Sequence, residues 1–166
     1  MISEPVVVQR TEQPAVVIRG WVIPADLGAA IQGWMDEVAG WLANQGVAAS
    51  GAPFVRYHVI NMAEKLDIAV GFPVSAPPPG DERIKPEALP AGSYATLLYT
   101  GEYGGLREAT AALLTWAESR PIRWDQWPAA EGDVFRSRYE TYITDPAEEP
   151  DPSKWETEIA IKIAEG

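Results

Sequence analysis

The sequence predicts an α+β fold built from two duplicated strand-helix-strand-strand halves, arranged as a pseudo-twofold around a central cleft. Three observations point there. Val/Ile-rich strand runs and a stripe of helical period occur in the same order twice along the 166 residues. The run Ser75-Ala76-Pro77-Pro78-Pro79-Gly80-Asp81 divides the two series, and three consecutive prolines cannot sit in a central strand or a helix. The closing strands also resemble each other: Leu66-Asp67-Ile68-Ala69-Val70 matches Thr157-Glu158-Ile159-Ala160-Ile161, about half a chain apart. The expected organisation is a single domain over 1–166, with a first half at 1–74, a linker at 75–81 and a second half at 82–166.

In the first half, Pro5 to Arg10 and Ala15 to Trp21 read as strands. Pro24-Ala25-Asp26 signals a helix start. Ile31, Met35, Val38 and Leu42 follow at the spacing of a buried helical stripe, and Gly46 is a natural stop. Phe54 to Ile60 and Leu66 to Val74 read as two further strands. In the second half, Arg83 to Leu89 is a short strand candidate and Ser93 to Thr100 a clearer one. A helix runs from about Tyr103 to Ser119 on a stripe of Leu106, Thr110, Leu113 and Ala117. Gly101, Gly104 and Gly105 at its start suggest a close backbone approach or a tight turn. Phe135 to Thr144 and Trp155 to Ala164 close the series.

Composition removes several function classes. The chain carries 24 acids against 13 bases, a formal net charge of −11. This argues against a basic nucleic-acid-binding face and favours cationic ligands. There is no cysteine, so disulfide frameworks and thiolate metal sites are excluded, in keeping with a cytoplasmic protein. His58 is the only histidine, and no metal-binding motif occurs. No apolar run approaches the ~20 residues of a membrane span, and the N-terminus does not read as a secretory signal. The glycines form neither a P-loop nor a dinucleotide fingerprint. No metal or organic cofactor is expected.

The most informative stretch is Arg138-Tyr139-Glu140-Thr141-Tyr142-Ile143-Thr144-Asp145-Pro146. Strict alternation sets Glu140 on the face of Arg138 and Tyr142, opposite Tyr139, Thr141 and Ile143. If that face points inward, a carboxylate lies among aromatic rings, where it can await a cation or act as an acid or base. If it points outward, Glu140 is one more solvated side chain on a sheet with a wet face.

Several segments together resemble the GyrI-like small-molecule-binding domain, which also serves as the effector-binding domain of AraC-type and multidrug-responsive regulators. They are Asp67-Ile68-Ala69-Val70-Gly71-Phe72-Pro73-Val74, Leu89-Pro90-Ala91-Gly92-Ser93-Tyr94-Ala95, Thr100-Gly101-Glu102-Tyr103-Gly104-Gly105-Leu106, the Glu140 strand, and Thr157-Glu158-Ile159. The resemblance implies two halves flanking a cleft that binds lipophilic, often cationic, aromatic compounds. It places Glu140 at the cleft floor and makes Glu158 a second acid. Some members of that family are attached to DNA-binding helices; the two halves leave no room here for a helix-turn-helix pair, so the expectation is a stand-alone member. The chain departs from the family pattern at Ala160, often Tyr, and at Ala69, often Glu; both changes remove polar groups near the cleft. Two alternatives come with the resemblance. One is a hydrolase that opens strained, cyclopropane-containing genotoxins with Glu140 as its catalytic residue. The other is a gyrase-inhibitor-like protein-interaction module.

The remaining candidates are aromatic. Tyr57, Tyr99 and Tyr142 sit on strands, and their hydroxyls can reach Glu140 or a ligand, or the rings can simply pack across strands. Trp34, Trp41 and Trp116 lie on the helices that would wall the cleft, where large aromatics commonly serve as core. Trp124 and Trp127 fall in the stretch Arg120 to Asp133 and read either as a cleft wall or lid or as cover for the core edge. The cluster Glu148-Glu149-Asp151 reads as a solvated turn. The expected partners are lipophilic or cationic small molecules, with no nucleic acid and no membrane; a protein partner or a homodimer remains open.

Overall fold

The computed structural model describes residues 1–165. Its strands and helices are β1 (Val6–Arg10), β2 (Gln13–Val22), α1 (Leu27–Gln45), β3 (Phe54–Asn61), β4 (Lys65–Pro73), β5 (Ile84–Leu89), β6 (Gly92–Thr100), α2 (Leu106–Glu118), β7 (Gln126–Ala129), β8 (Gly132–Phe135), β9 (Arg138–Tyr142) and β10 (Glu156–Lys162). The fold is therefore α+β. Among the described residues, no helix is long and apolar enough to cross a membrane.

The strands join one antiparallel sheet in the order β1-β6-β10-β9-β3-β4-β2-β5. The two halves of the sequence are not separate blocks in space. β1 pairs with β6 of the second half, and β5 crosses back to pair with β2 of the first. The proline linker makes that crossing possible as an irregular segment, closed by Asp81, whose carboxylate accepts from Arg83 N at 2.8 Å and Ile84 N at 2.6 Å.

Register determines what each face carries. Ile18, Val70, Val55, Glu140, Ile159 and Leu97 stand opposite one another in a row across six strands. Directly opposed residues share a sheet face, so Glu140 is the one polar member of an otherwise aliphatic row. Both helices cover this face. α1 buries Val38 and Leu42 against Val16 and Ile18 of β2. α2 sets Leu106, Ala109 and Leu113 on Ala95, Leu97, Ile159 and Ile161. The other face carries no helix and packs Ala15, Val17, Phe54, Tyr94 and Tyr139 together.

Three sequence readings change. The expected strand Phe135 to Thr144 is two strands, broken at Arg136-Ser137, where Arg136 N turns to Asp125 O at 2.9 Å. The expected loop Arg120 to Asp133 contains β7 and the start of β8, a hairpin whose β8 strand docks on Val59 and Ile60 of β3. The second helix starts at Leu106, after a 3-10 turn over Tyr103–Gly105. The stop at Gly46 stands as expected, with its backbone left-handed at φ 68°.

Candidate functional site: a glutamate behind an aromatic cleft wall

Strand alternation puts Arg138, Glu140 and Tyr142 of β9 on the helix-covered face, and Tyr57 of β3 reaches the same place. The Tyr142 hydroxyl donates to Glu140 Oε1 at 3.1 Å, and the Tyr57 hydroxyl donates to the same oxygen at 3.3 Å. No described residue hydrogen-bonds Oε2. Burial pushes the Glu140 carboxyl above its ordinary pKa; the two tyrosine hydrogen bonds and the positive Arg138 oppose that shift without cancelling it. Burial and the neighbouring carboxylate hold the Tyr57 and Tyr142 hydroxyls well above 10, so both remain protonated donors. Arg138 is half-buried with its guanidinium 4.8 Å from the Phe135 ring centroid. Burial lowers its pKa, and the Glu140 charge partly restores it.

A cleft of about 650 Å³ opens between α1 and the start of α2, within the range of small-molecule sites. Ile31 and Met35 of α1, Phe72 of β4, Leu106 of α2, Tyr103 and Tyr142 form its walls. The stripe on α1 is thus divided: Val38 and Leu42 enter the core, while half-buried Ile31 and Met35 face the cleft. Asp36 and Asp145 add negative charge to the lining, and no Lys or Arg among the described residues lines it. Tyr103 meets Tyr142 edge-on at 5.5 Å, and Trp155, which does not line the cleft, backs Tyr103 at a tilt at 4.9 Å. Glu140 does not itself line the cleft. It lies one hydrogen bond behind Tyr142.

The structure therefore brings together Glu140, Tyr142 and Tyr57. It sets the other candidates elsewhere. Tyr99 donates to Glu102 O at 2.7 Å and supports the turn into α2. Trp34 packs between α1 and β2, with its ring against Gly20. Trp116 joins the core beneath α2, with Arg120 over its ring at 4.1 Å. Trp124 bridges to Ile163 at the end of β10 and packs on the same cluster. Trp127 is 40% exposed under Arg136, at 4.9 Å. None of these lines the cleft. Glu158 stands opposite Thr141, on the helix-free face, where it takes a 2.7 Å ion pair from Arg10. Tyr103, Trp155, Met35 and Phe72 were not singled out from the sequence as site residues. Tyr103 and Phe72 do lie within the family-like segments, which was the available signal. Among the described residues, no group of three or more His, Asp or Glu side chains is placed to hold a metal.

The model of the GyrI-like small molecule binding domain matches residues 3–164. This chain belongs to the GyrI-like family. No curated protein matches it. Among solved structures, the GyrI-like chain is similar to the EcmrR C-terminal domain, with a TM-score of 0.78 at 21% identity over 98% of both chains. The EcmrR chain of a cryo-EM EcmrR–DNA complex gives a TM-score of 0.80 at 20% identity, covering 98% of this chain. This chain spans only 58% of that longer one. SAV2435 bound to tetraphenylphosphonium gives 0.64 at 10% identity, over 98% of this chain and 94% of that one. At these identities the likeness is one of fold.

Proposed function

We propose that this GyrI-like protein binds lipophilic, cationic aromatic compounds in the cleft between its helices, with Glu140 as the counter-charge, and serves to sequester or sense them in the cytoplasm. The observation that carries the reading is the lone carboxylate in an aliphatic row, tethered through one oxygen by two tyrosines and directly behind an aromatic, acid-lined cleft. Such binding requires the Tyr142 side chain to turn aside, so that a ligand in the cleft reaches the carboxylate one hydrogen bond behind it. Aromatic walls add cation–π attraction of ~0.5–2 kcal/mol per ring. The tetraphenylphosphonium held by SAV2435 is a ligand of this class. Two duplicated halves around a pseudo-twofold fit the same site. Exchanging β1 with β5, β2 with β6, β3 with β9 and β4 with β10 gives the same strand order read from the other edge, and each half supplies one helix to the cleft face.

Fluorescence titration with tetraphenylphosphonium competing against a rhodamine cation tests the reading. Glu140→Gln should weaken binding by about 2–5 kcal/mol, as expected for loss of a desolvated charge pair. Equal affinity in both proteins would remove Glu140 as the counter-charge.

A second reading is favoured by the tyrosine hydroxyls at 3.1 and 3.3 Å from a carboxyl whose pKa is raised. That arrangement suits general acid–base work on a strained small molecule, and one structural neighbour is described as a hydrolase from Listeria innocua (TM-score 0.61, 14% identity, 97% of this chain and 92% of that one). Mass spectrometry after incubation with a cyclopropane-containing alkylating compound distinguishes the two. A hydrated product that forms with turnover and disappears in Glu140→Gln supports hydrolysis; unchanged compound supports binding alone.

A further inference from the structure

The sheet does not close. It ends at β1 on one side and β5 on the other, and each edge strand leaves backbone donors and acceptors without a strand partner. The two edges are built differently. β5 reads Ile84-Lys85-Pro86-Glu87-Ala88-Leu89; Pro86 offers no N–H, and Lys85 and Pro86 are both exposed. These are the features that keep an edge from pairing with another chain. β1 reads Val6-Val7-Val8-Gln9-Arg10, with no proline and no acid, and Val6 and Val7 are 52% and 49% exposed. Nor does α2 cover this edge. An open groove of about 610 Å³ separates Ile2–Pro5 from Glu108, Ala111 and Trp116.

We propose that the β1 edge is a homodimer interface. A second copy of this chain adds its own β1 antiparallel, on a twofold axis through Val7, and the two sheets become continuous. The occupant follows from the sequence of the strand. In that register Val7 meets Val7, Val6 meets Val8, Gln9 meets Pro5, and Arg10 of one copy stands opposite Glu4 of the other. Apolar pairs form on both faces, because Val7 shares the helix-covered face with Ala95 and Val6 the helix-free face with Thr96. Arg10 keeps its 2.7 Å pair with Glu158, and the ladder terminates at Pro5, which has no N–H to give. Net charge points to the same edge. Two copies at −11 each repel; β1 carries no acid and its one base is already paired with Glu158, so this edge brings no unpaired negative charge of its own to the contact. The interface lies at the sheet end, remote from the central β9–β3 junction, and leaves the cleft of each copy open.

The absence of cysteine makes the test direct. In the Val7→Cys variant the only two thiols of a dimer face each other across an antiparallel pair, within disulfide reach. Mild oxidation should give a covalent dimer on a non-reducing gel, whereas Lys85→Cys on the opposite edge should stay monomeric. In sedimentation equilibrium the unmodified protein should be a dimer that tightens with added salt, as screening removes repulsion. Val7→Lys should be monomeric with an unchanged circular dichroism spectrum. A monomeric unmodified protein at high micromolar concentration overturns the proposal. So does a dimer that Val7→Lys does not dissociate, or equal crosslinking at both edges. If Val7→Lys fails to fold, failure of Val7→Cys to crosslink in a dimeric sample overturns the interface by itself.

Discussion

Glu140 is held in two opposing ways, and its titration reports the balance. Removing a carboxylate from water favours the neutral acid, while two hydroxyl donors and Arg138 favour the anion; burial is the largest effect, and the pKa is raised. The native state therefore binds this proton more tightly than the unfolded chain. The associated stability is present below the unfolded pKa and is lost as pH rises through the higher native one. Ligand affinity runs the opposite way, because a cation needs the ionised form. Affinity for a permanently charged dye should climb with pH through a midpoint above the ordinary carboxylate range and then level off. Glu140→Gln should bind weakly with no such midpoint, and above it should melt no lower than the parent protein. Dye titrations and thermal melts across a pH series measure both. A wild-type affinity that is flat in pH would show that the ligand never meets this carboxylate.

At the scale of elements, the approach to α2 depends on two glycines. A Cβ on Gly105 would stand 1.9 Å from the Tyr99 hydroxyl, and Gly101 lies against the same ring with φ 153°. Tyr99 thus occupies the space that a side chain would need, and its hydroxyl caps the turn through Glu102 O. Gly105→Ala should destabilise the protein by roughly 1–3 kcal/mol, the usual cost of overpacking, read as a lowered denaturant midpoint. It should also displace Tyr103, two residues away, and weaken ligand binding beyond the stability loss. Gly104→Ala, where only Glu102 lies near, should do neither. The glycine cluster was legible as a close approach from composition, and both helical stripes and the sharing of one face by Arg138, Glu140 and Tyr142 from local periodicity; whether that face points inward was not, because it depends on which side of the sheet the helices cover. Glu158 shows where such reading stops. Its face depends on the β10 register, which sets it against Thr141 rather than Glu140, and a shift of one residue would reverse that. Trp124 and Trp127 show the same limit. Their segment carries Pro128 and acidic residues typical of a loop, yet β8 docks on the end of β3 beyond the register shift between Tyr57 and Val59. A long-range pairing of that kind leaves no local pattern.

The molecule carries a net charge of −11, and several of its bases are held in ion pairs. Arg19 pairs with Asp67 at 2.9 Å, Arg10 with Glu158 at 2.7 Å, Lys162 with Asp125 at 3.0 Å, and Arg56 with Glu87 at 3.4 Å. Two of these cations, Arg56 and Lys162, are buried. A net acidic field attracts small cations and repels polyanions by the same physics. A DNA-bound relative does not alter that expectation, since this chain matches 58% of the EcmrR chain in that complex and the likeness at 20% identity is one of fold. Duplex DNA should therefore give no binding at physiological salt. Lowering the salt should not reveal any, because weaker screening strengthens the repulsion between phosphates and a chain of net charge −11. Fluorescence anisotropy of a labelled duplex, titrated with protein at low and at physiological salt, decides this. Binding whose logarithm falls linearly with the logarithm of salt concentration would mean that phosphates are being neutralised. That result would mean that bases outside these ion pairs form a cationic surface strong enough to overcome the net negative charge.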